Sequence, residues 1–251
     1  MPRRHPALVV LAVIVVGLAV GGAYGLWYVF LRPAGPPPVA IASGVGNGGG
    51  SATNDGGPAS PGGGTTGALA GTWNVDDSIG STADNSETFV GYRVQEQLAG
   101  IGGNTAVGRT SSVTGTLTLS GTQITAVDVT ADLTTLASDD PQRDGQLGRQ
   151  GIQTDQFPTA EFKLTQPIDL GSLPADGQTI SATATGDLTL HGVTKSVQIA
   201  VSATLSSGIV TVDGSLQIQF ADFGIEAPTS FHVLSVDDHG VMEFQLHFRH
   251  A

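Results

Sequence analysis

From Gly71 to the end of the chain, apolar and polar residues alternate in short runs separated by Gly, Asp, Ser and Pro. In Thr114–Gly121, TGTLTLSG, Leu117 and Leu119 share one side and Thr116 and Thr118 the other. In Ala126–Leu133, AVDVTADL, the sequence sets Val127, Val129, Ala131 and Leu133 against Asp128, Thr130 and Asp132. The same parity runs through Ala160, Phe162 and Leu164, then Ile180, Ala182, Ala184, Leu188 and Leu190. It continues in Val197, Ile199 and Val201, in Leu216, Ile218 and Phe220, and in Met242, Phe244, Leu246 and Phe248. A period of two with abundant Thr and Val predicts half-buried antiparallel strands. With further strands around Thr88–Val94 and Ile209–Val212, the pattern predicts an all-β domain of about eight strands over 71–251. Such a sheet has one apolar face to cover, so it stacks on a second sheet or closes into a barrel.

One stretch breaks the rhythm. Ser138–Ile152, SDDPQRDGQLGRQGI, has no alternation but offers Asp139 or Asp140 as an N-cap ahead of Pro141 at the first helical position, which predicts a short, glycine-weakened helix. Phe157-Pro158 favours an extended entry to the following strand.

The chain ahead of the domain is of two kinds. Residues 7–31 carry no charge and as a helix would be about 37 Å long, enough to span a bilayer. The stretch exceeds the apolar run of a cleaved signal peptide and ends in Trp27, Tyr28 and Phe30, so it reads as a retained single-pass anchor. Arg3 and Arg4 in residues 1–6 then keep the N-terminus cytoplasmic and place the β domain outside the plasma membrane. Residues 32–70, rich in Gly, Pro, Ser and Ala, cannot bury enough surface to fold and are expected to form a disordered linker, its ends on the order of 35 Å apart.

Composition narrows the chemistry. The chain has no cysteine, which removes disulfides, thiolate metal sites, cysteine nucleophiles and a lipid-modified cysteine anchor. The net charge is −12, and from Gly71 onward seven basic residues face twenty-one acidic ones. Such a surface keeps an exported domain soluble and repels nucleic acid.

Candidate catalytic groups are sparse. His191 sits in LTLHGVTKSV beside Gly192, a residue free to take positive φ, and reads as the edge of a hairpin. His247 and His250 are three apart, which on a strand points them to opposite faces. His232 and His239 lie near Asp237 and Asp238, a weak divalent-ion candidate, but no metal is assigned. There is no G-x-S-x-G, H-E-x-x-H or phosphate-binding glycine loop. The chain is therefore read as a non-enzyme without a cofactor, and the apolar face becomes the candidate site. Its pocket-lining candidates are Leu117, Leu119, Val127, Val129, Phe162, Leu164, Leu188, Val197, Ile199, Ile218, Phe220, Phe244 and Leu246. Small inward residues such as Ala131, Ala160, Ala182 and Ala184 either leave room for a ligand or fill the narrow part of a solid core.

Four segments, in order, carry a resemblance: RDGQL (Arg143–Leu147), FPTAEFKLT (Phe157–Thr165), GDLTLHGVTKSV (Gly186–Val197) and FADFGI (Phe220–Ile225). Together they resemble the YceI-like family of exported polyisoprenoid-binding proteins, over essentially 71–251. The resemblance implies an eight-stranded lipocalin-like antiparallel barrel with a long apolar pocket for a polyprenyl lipid or a quinone tail. It gives Arg143 and Asp144 the role of organising the helical turn, Gly192 the hairpin, and Gly224 a bend beside the barrel mouth. Two departures stand out: a histidine-bearing segment before the first strands in many members is replaced here by VDDSIGSTADNSETFVGYRV, and this chain is tethered where many are free. Two other readings stay open at this level: a solid-core β-sandwich that binds an envelope polymer or protein, and a lipid-modifying enzyme using His191 or His232.

Overall fold

The computed structural model describes residues 35–40, 69–228 and 233–251. The expected anchor at 7–31 and most of the linker lie outside them; among the described residues no helix is long and apolar enough to cross a membrane.

Thirteen strands among the described residues form one antiparallel sheet. They are β1 (Gly71–Val75), β2 (Phe89–Leu98), β3 (Gly102–Thr110), β4 (Val113–Ser120), β5 (Gln123–Asp132), β6 (Ala137–Ser138) and β7 (Thr159–Leu164). The series continues with β8 (Ile168–Asp169), β9 (Thr179–Leu190), β10 (Val193–Ser206), β11 (Ile209–Gln219), β12 (Val233–Val236) and β13 (His239–His250). Eight of them close a ring in the order β1-β4-β5-β7-β9-β10-β11-β13, with β1 pairing back to β13. Closure removes the sheet edges and selects a barrel over a stacked sandwich.

The ring is not uniform along its axis. β13 pairs with β11 from His239 to Arg249, while its other side is shared. β1 takes Phe248 to His250, and β2 takes Val241 to Gln245. At the β1 end the wall is a tight ring around Trp73, whose indole Nε1 donates to the Leu69 carbonyl at 3.0 Å. Beyond it the wall runs on through β2, β3 and β6, and α1 (Pro141–Gln146) with a π-helical turn (Leu147–Gly151) covers the remaining opening. The helix begins as the sequence predicts: Asp140 caps it, its carboxylate accepting from the Gln142 and Arg143 amides, and Pro141 occupies the first turn. Asp144 accepts from the Ser138 amide and hydroxyl, fastening α1 to β6.

Local chemistry explains the long hairpins. β9 and β10 turn at His191 (φ 52°) and Gly192 (φ 73°), β10 and β11 at Ser207 (φ 52°) and Gly208 (φ 80°). Two successive positive-φ residues give the turn whose twist matches paired strands. At Gly192 no other residue fits, because a Cβ would come 2.7 Å from Phe157 Cε1.

One outward carboxylate works against this fold. On β11, opposite Ser202 and Gln245, Asp213 has its pKa pushed up from 3.8 to about 6 by burial. A carboxyl with a raised folded-state pKa imposes no cost below its unfolded value; the cost grows as pH rises through the folded value and is complete above it. Asp213→Asn is therefore expected to raise stability at pH 7.5 by about 1 kcal/mol, discounted for partial exposure, and to leave it unchanged below about pH 4. Urea unfolding at the two pH values checks this.

Candidate functional site

The inward face of the barrel encloses two apolar chambers. The first, about 130 Å³, lies inside the eight-stranded ring. The second, about 110 Å³, lies where β2 and β3 face α1, the π-helical turn and the Phe220–Pro228 segment. Val90, Ala160 and Met242 line both, so the chambers meet end to end. An engineered apolar cavity of about 150 Å³ stays dry and takes up benzene. Two chambers of that order in a row make a slot suited to a linear apolar guest.

The hollow arises from how the aromatic side chains lie as well as from the alanines. Phe162 is diagonal to Gly186 across β7 and β9, and a Cβ on that glycine would meet Phe162 Cζ at 2.5 Å. Gly214 pairs directly with Phe244, whose Cζ takes the place where a Cβ would stand. Gly108 pairs with Tyr92, whose Cε1 does the same. Each ring therefore lies down on a bare patch of wall, as aromatic residues do over strand glycines, instead of standing across the lumen.

The structure sorts the thirteen candidates from the sequence. Leu117, Val127, Val129, Phe162, Leu188, Ile199, Phe244 and Leu246 line the first chamber. Ile218 and Phe220 line the second. Leu119 belongs to a smaller pocket beside Trp73 at the closed end. Leu164 and Val197 line none of these and pack between wall neighbours. Residues absent from that set also line the first chamber. Among them is Ile124, brought inward by a register shift between Thr118 and Leu119 that reverses the parity of β5.

The two chambers differ in their polar groups. Glu161, at the edge of the first, is an exposed residue whose carboxylate accepts from the Thr159 hydroxyl. In the second, Glu96 is buried and Arg143 is half-buried. Glu96, on β2, accepts from Arg143 Nη2 and from Asn104 Nδ2, each at 2.6 Å. Arg143 Nη1 also donates to Asp139 at 2.8 Å. Tyr92 lines the same chamber, and its buried Oη has no hydrogen-bond partner. The Ser138 hydroxyl is near enough to favour the phenolate slightly, but not in hydrogen-bond geometry, and burial dominates, raising the phenol pKa well above its ordinary value. At every physiological pH Tyr92 is thus a neutral donor, its Oη lying at the wall 2.9 Å from where a Cβ on Gly108 would stand. Arg143 takes part in α1 as expected, and its ion pair with β2 spans 47 residues of sequence, a contact no local pattern encodes.

His191 lines neither chamber. Its Nδ1 lies 3.0 Å from the Phe223 carbonyl, so that nitrogen carries the proton, and its ring stands edge-on to Phe157 at 4.4 Å between centroids. The histidine fastens the hairpin to the turn Phe220–Phe223, which ends at Gly224 with φ 63°. His247 is buried against Thr88, 3.1 Å away, and His250 packs edge-on to Trp73. His239 contacts Asp238, and His232 lies outside the described residues. Among the described residues no three His, Asp or Glu side chains are grouped to hold a metal ion.

The profile of the YceI-like domain matches residues 82–248, more than half of the chain. The chain belongs to the YceI-like domain family. A UPF0312 protein of Vibrio parahaemolyticus is 32% identical over 124 residues, which cover 45% of this chain and 60% of that relative. The YceI-like fold is also seen in a polyisoprenoid-binding domain from Saccharophagus degradans implicated in plant cell wall breakdown. That structure has a TM-score of 0.55 and 17% identity, covering 71% of this chain and 98% of the other. BcnA of Burkholderia cenocepacia aligns at a TM-score of 0.49 and 20% identity, over 64% of this chain and 95% of its own. This YceI-like domain has Tyr92, Glu96 and Arg143 at one end of its apolar slot.

Proposed function

We propose that this YceI-like domain binds an isoprenoid chain, which threads the two chambers and leaves its head beside Tyr92 and Arg143. The observation that carries the reading is the arrangement itself: two apolar chambers end to end, with Tyr92, Arg143 and the buried Glu96 grouped in the second alone. At about 0.8 kcal/mol per buried methylene, several isoprene units gain enough to offset the ordering of the chain. No acid, base or metal takes part; binding replaces water around the chain.

The charge around the cluster favours one class of head. Arg143 is matched by Glu96 and Asp139, and Asp144 is the next residue along α1. A further negative charge from a phosphate would meet this acidic surplus, whereas an uncharged carbonyl oxygen accepts from the Tyr92 phenol. The ligand is a neutral prenyl quinone in preference to a prenyl phosphate. The apolar stretch at 7–31 and the arginines before it support a single-pass anchor, with the barrel working outside the plasma membrane, close to the lipid phase in which such quinones dissolve.

Titration of the purified chain with a short-tailed prenyl quinone and a prenyl phosphate of equal length tests the assignment. The quinone is expected to bind more tightly. Tyr92→Phe should weaken it by about 1 kcal/mol, roughly fivefold, and leave a headless alkene of the same length unaffected. Tighter binding of the phosphate, or no effect of Tyr92→Phe, would overturn the head-group assignment. His191→Ala should leave binding in place, since the ring faces neither chamber.

A further inference from the structure

Part of the tether is bound to the barrel wall. Residues 35–40, Gly-Pro-Pro-Pro-Val-Ala, belong to the stretch expected to be disordered, yet Gly35 to Pro37 lie against the outer face of β2 and β3. Arg93 Nη2 donates to the Pro36 carbonyl at 2.8 Å, and Arg109 Nη2 to the Pro37 carbonyl at 3.1 Å. Both arginines are held from the other side by Glu243 Oε1, at 3.1 and 3.2 Å, and Arg109 also faces Glu87 at 3.7 Å and stacks over the Phe89 ring. Val107 is an apolar residue on this outward face, and it is only 6% exposed. Gly35 lies on top of it: a Cβ at that glycine would be 3.3 Å from Val107 Cγ2.

Each feature suits a proline-rich strand. Consecutive prolines hold the backbone extended with little entropy left to lose, and they have no N–H groups to satisfy, so their carbonyls are the groups a partner can read. Two fixed guanidinium groups supply donors only. A residue without a side chain permits the close approach over Val107.

We propose that the outer face of β2 and β3 is a docking site for the chain's own Gly35–Pro37 segment, and that this contact is a clasp that sets how far the barrel stands from the membrane. The second half of the proposal rests on the reading of residues 7–31 as an anchor. With the clasp closed, the tether from Leu31 to Gly35 spans at most about 14 Å. With it open, the tether from Leu31 to Gly71 has an end-to-end distance of about 35 Å. The docked state therefore holds the barrel near the lipid, and release lets it reach outward.

The absence of cysteine makes the test direct. The Cβ position at Gly35 is 3.6 Å from Val107 Cβ, within the roughly 3.5–4.5 Å a disulfide needs. In the full-length chain, Gly35→Cys with Val107→Cys should cross-link within the monomer at least tenfold faster than Gly48→Cys with Val107→Cys. Replacing Pro36, Pro37 and Pro38 by glycine, which touches only the tether, should slow the first reaction about tenfold, and Arg93→Ala should do the same in chain that is still folded by thermal melt. Equal rates for the two cysteine pairs would overturn the clasp, and cross-linked dimers in place of monomers would assign the site to a second copy and overturn it too. The anchor is tested separately by neutron reflectometry of the cross-linked chain in a supported bilayer, where the barrel layer should lie closer than in the triple-glycine variant. Fast cross-linking by a chain that the bilayer does not retain would overturn the anchor and leave the clasp standing.

Discussion

Ala184→Trp is expected to weaken isoprenoid binding about 100-fold while the barrel stays folded. Ala184 lines the first chamber, opposite Ile199 on β10 and among Ala182, Phe162 and Phe244. An indole there occupies lumen that about four methylenes of ligand would otherwise fill; at about 0.8 kcal/mol each this is about 3 kcal/mol, or roughly two orders of magnitude in affinity. Because the chamber is empty of protein atoms, the new ring has somewhere to go, and the change in thermal stability should be small. A solid core responds in the opposite way: overpacking costs about 1–3 kcal/mol of stability. Calorimetric titration together with a thermal melt on the same variant separates the two. Unchanged binding with a lowered melting temperature would show that the chamber is core and not a site.

The largest loss of stability is expected from Glu243→Ala. This carboxylate is 1% exposed and lies between Arg93 and Arg109, accepting from both. Burying charge is costly, and here the attraction among three groups offsets it; removing the central partner leaves two guanidinium groups, each mostly buried, without the carboxylate that faces them. A loss of about 3–5 kcal/mol follows, which for a domain of this size lowers the melting temperature by about 10 °C. Glu243→Gln keeps the acceptor oxygen and the shape, and should cost less than the alanine. Thermal melts of the two variants check the order, and equal losses would mean that packing, and not charge, dominates at this position.

How far the sequence reveals the molecule depends on the range of the interaction. Alternation is a local property, so the strands, their inward faces and the capped helix at Asp140-Pro141 can all be read directly. The hairpin at His191-Gly192 can be read as well, because positive φ at glycine is a local constraint. Parity fails where pairing slips. The bulge beside Leu119 swings Ile124 inward, and nothing in the run QITAVDV announces it. Alternation also distinguishes inside from outside but not chamber from packed wall, which is why Leu164 and Val197 fall among the pocket candidates without lining the slot. The polar end of the second chamber escapes the pattern for a different reason. Tyr92, Glu96 and Arg143 come from a strand and a helix far apart in sequence, and only the wall that β2 adds beside β13 brings them together. The inward alternation of Val90, Tyr92, Val94 and Glu96 is the available signal, a strand whose apolar face ends in a carboxylate. The clasp of the tether on Arg93 and Arg109 has no local signature at all, since its partners are joined only through the folded sheet.

Whether the slot holds a prenyl chain with a neutral head is tested most directly by purifying the whole 251-residue chain from the cells that make it, extracting it with organic solvent, and identifying what is released by mass spectrometry. About one prenyl quinone per chain is expected, falling to a trace in Ala184→Trp prepared in parallel. An extract with no prenyl compound, still empty after incubation with quinones and membrane lipids, would contradict the account and turn attention to the outer surface of the barrel.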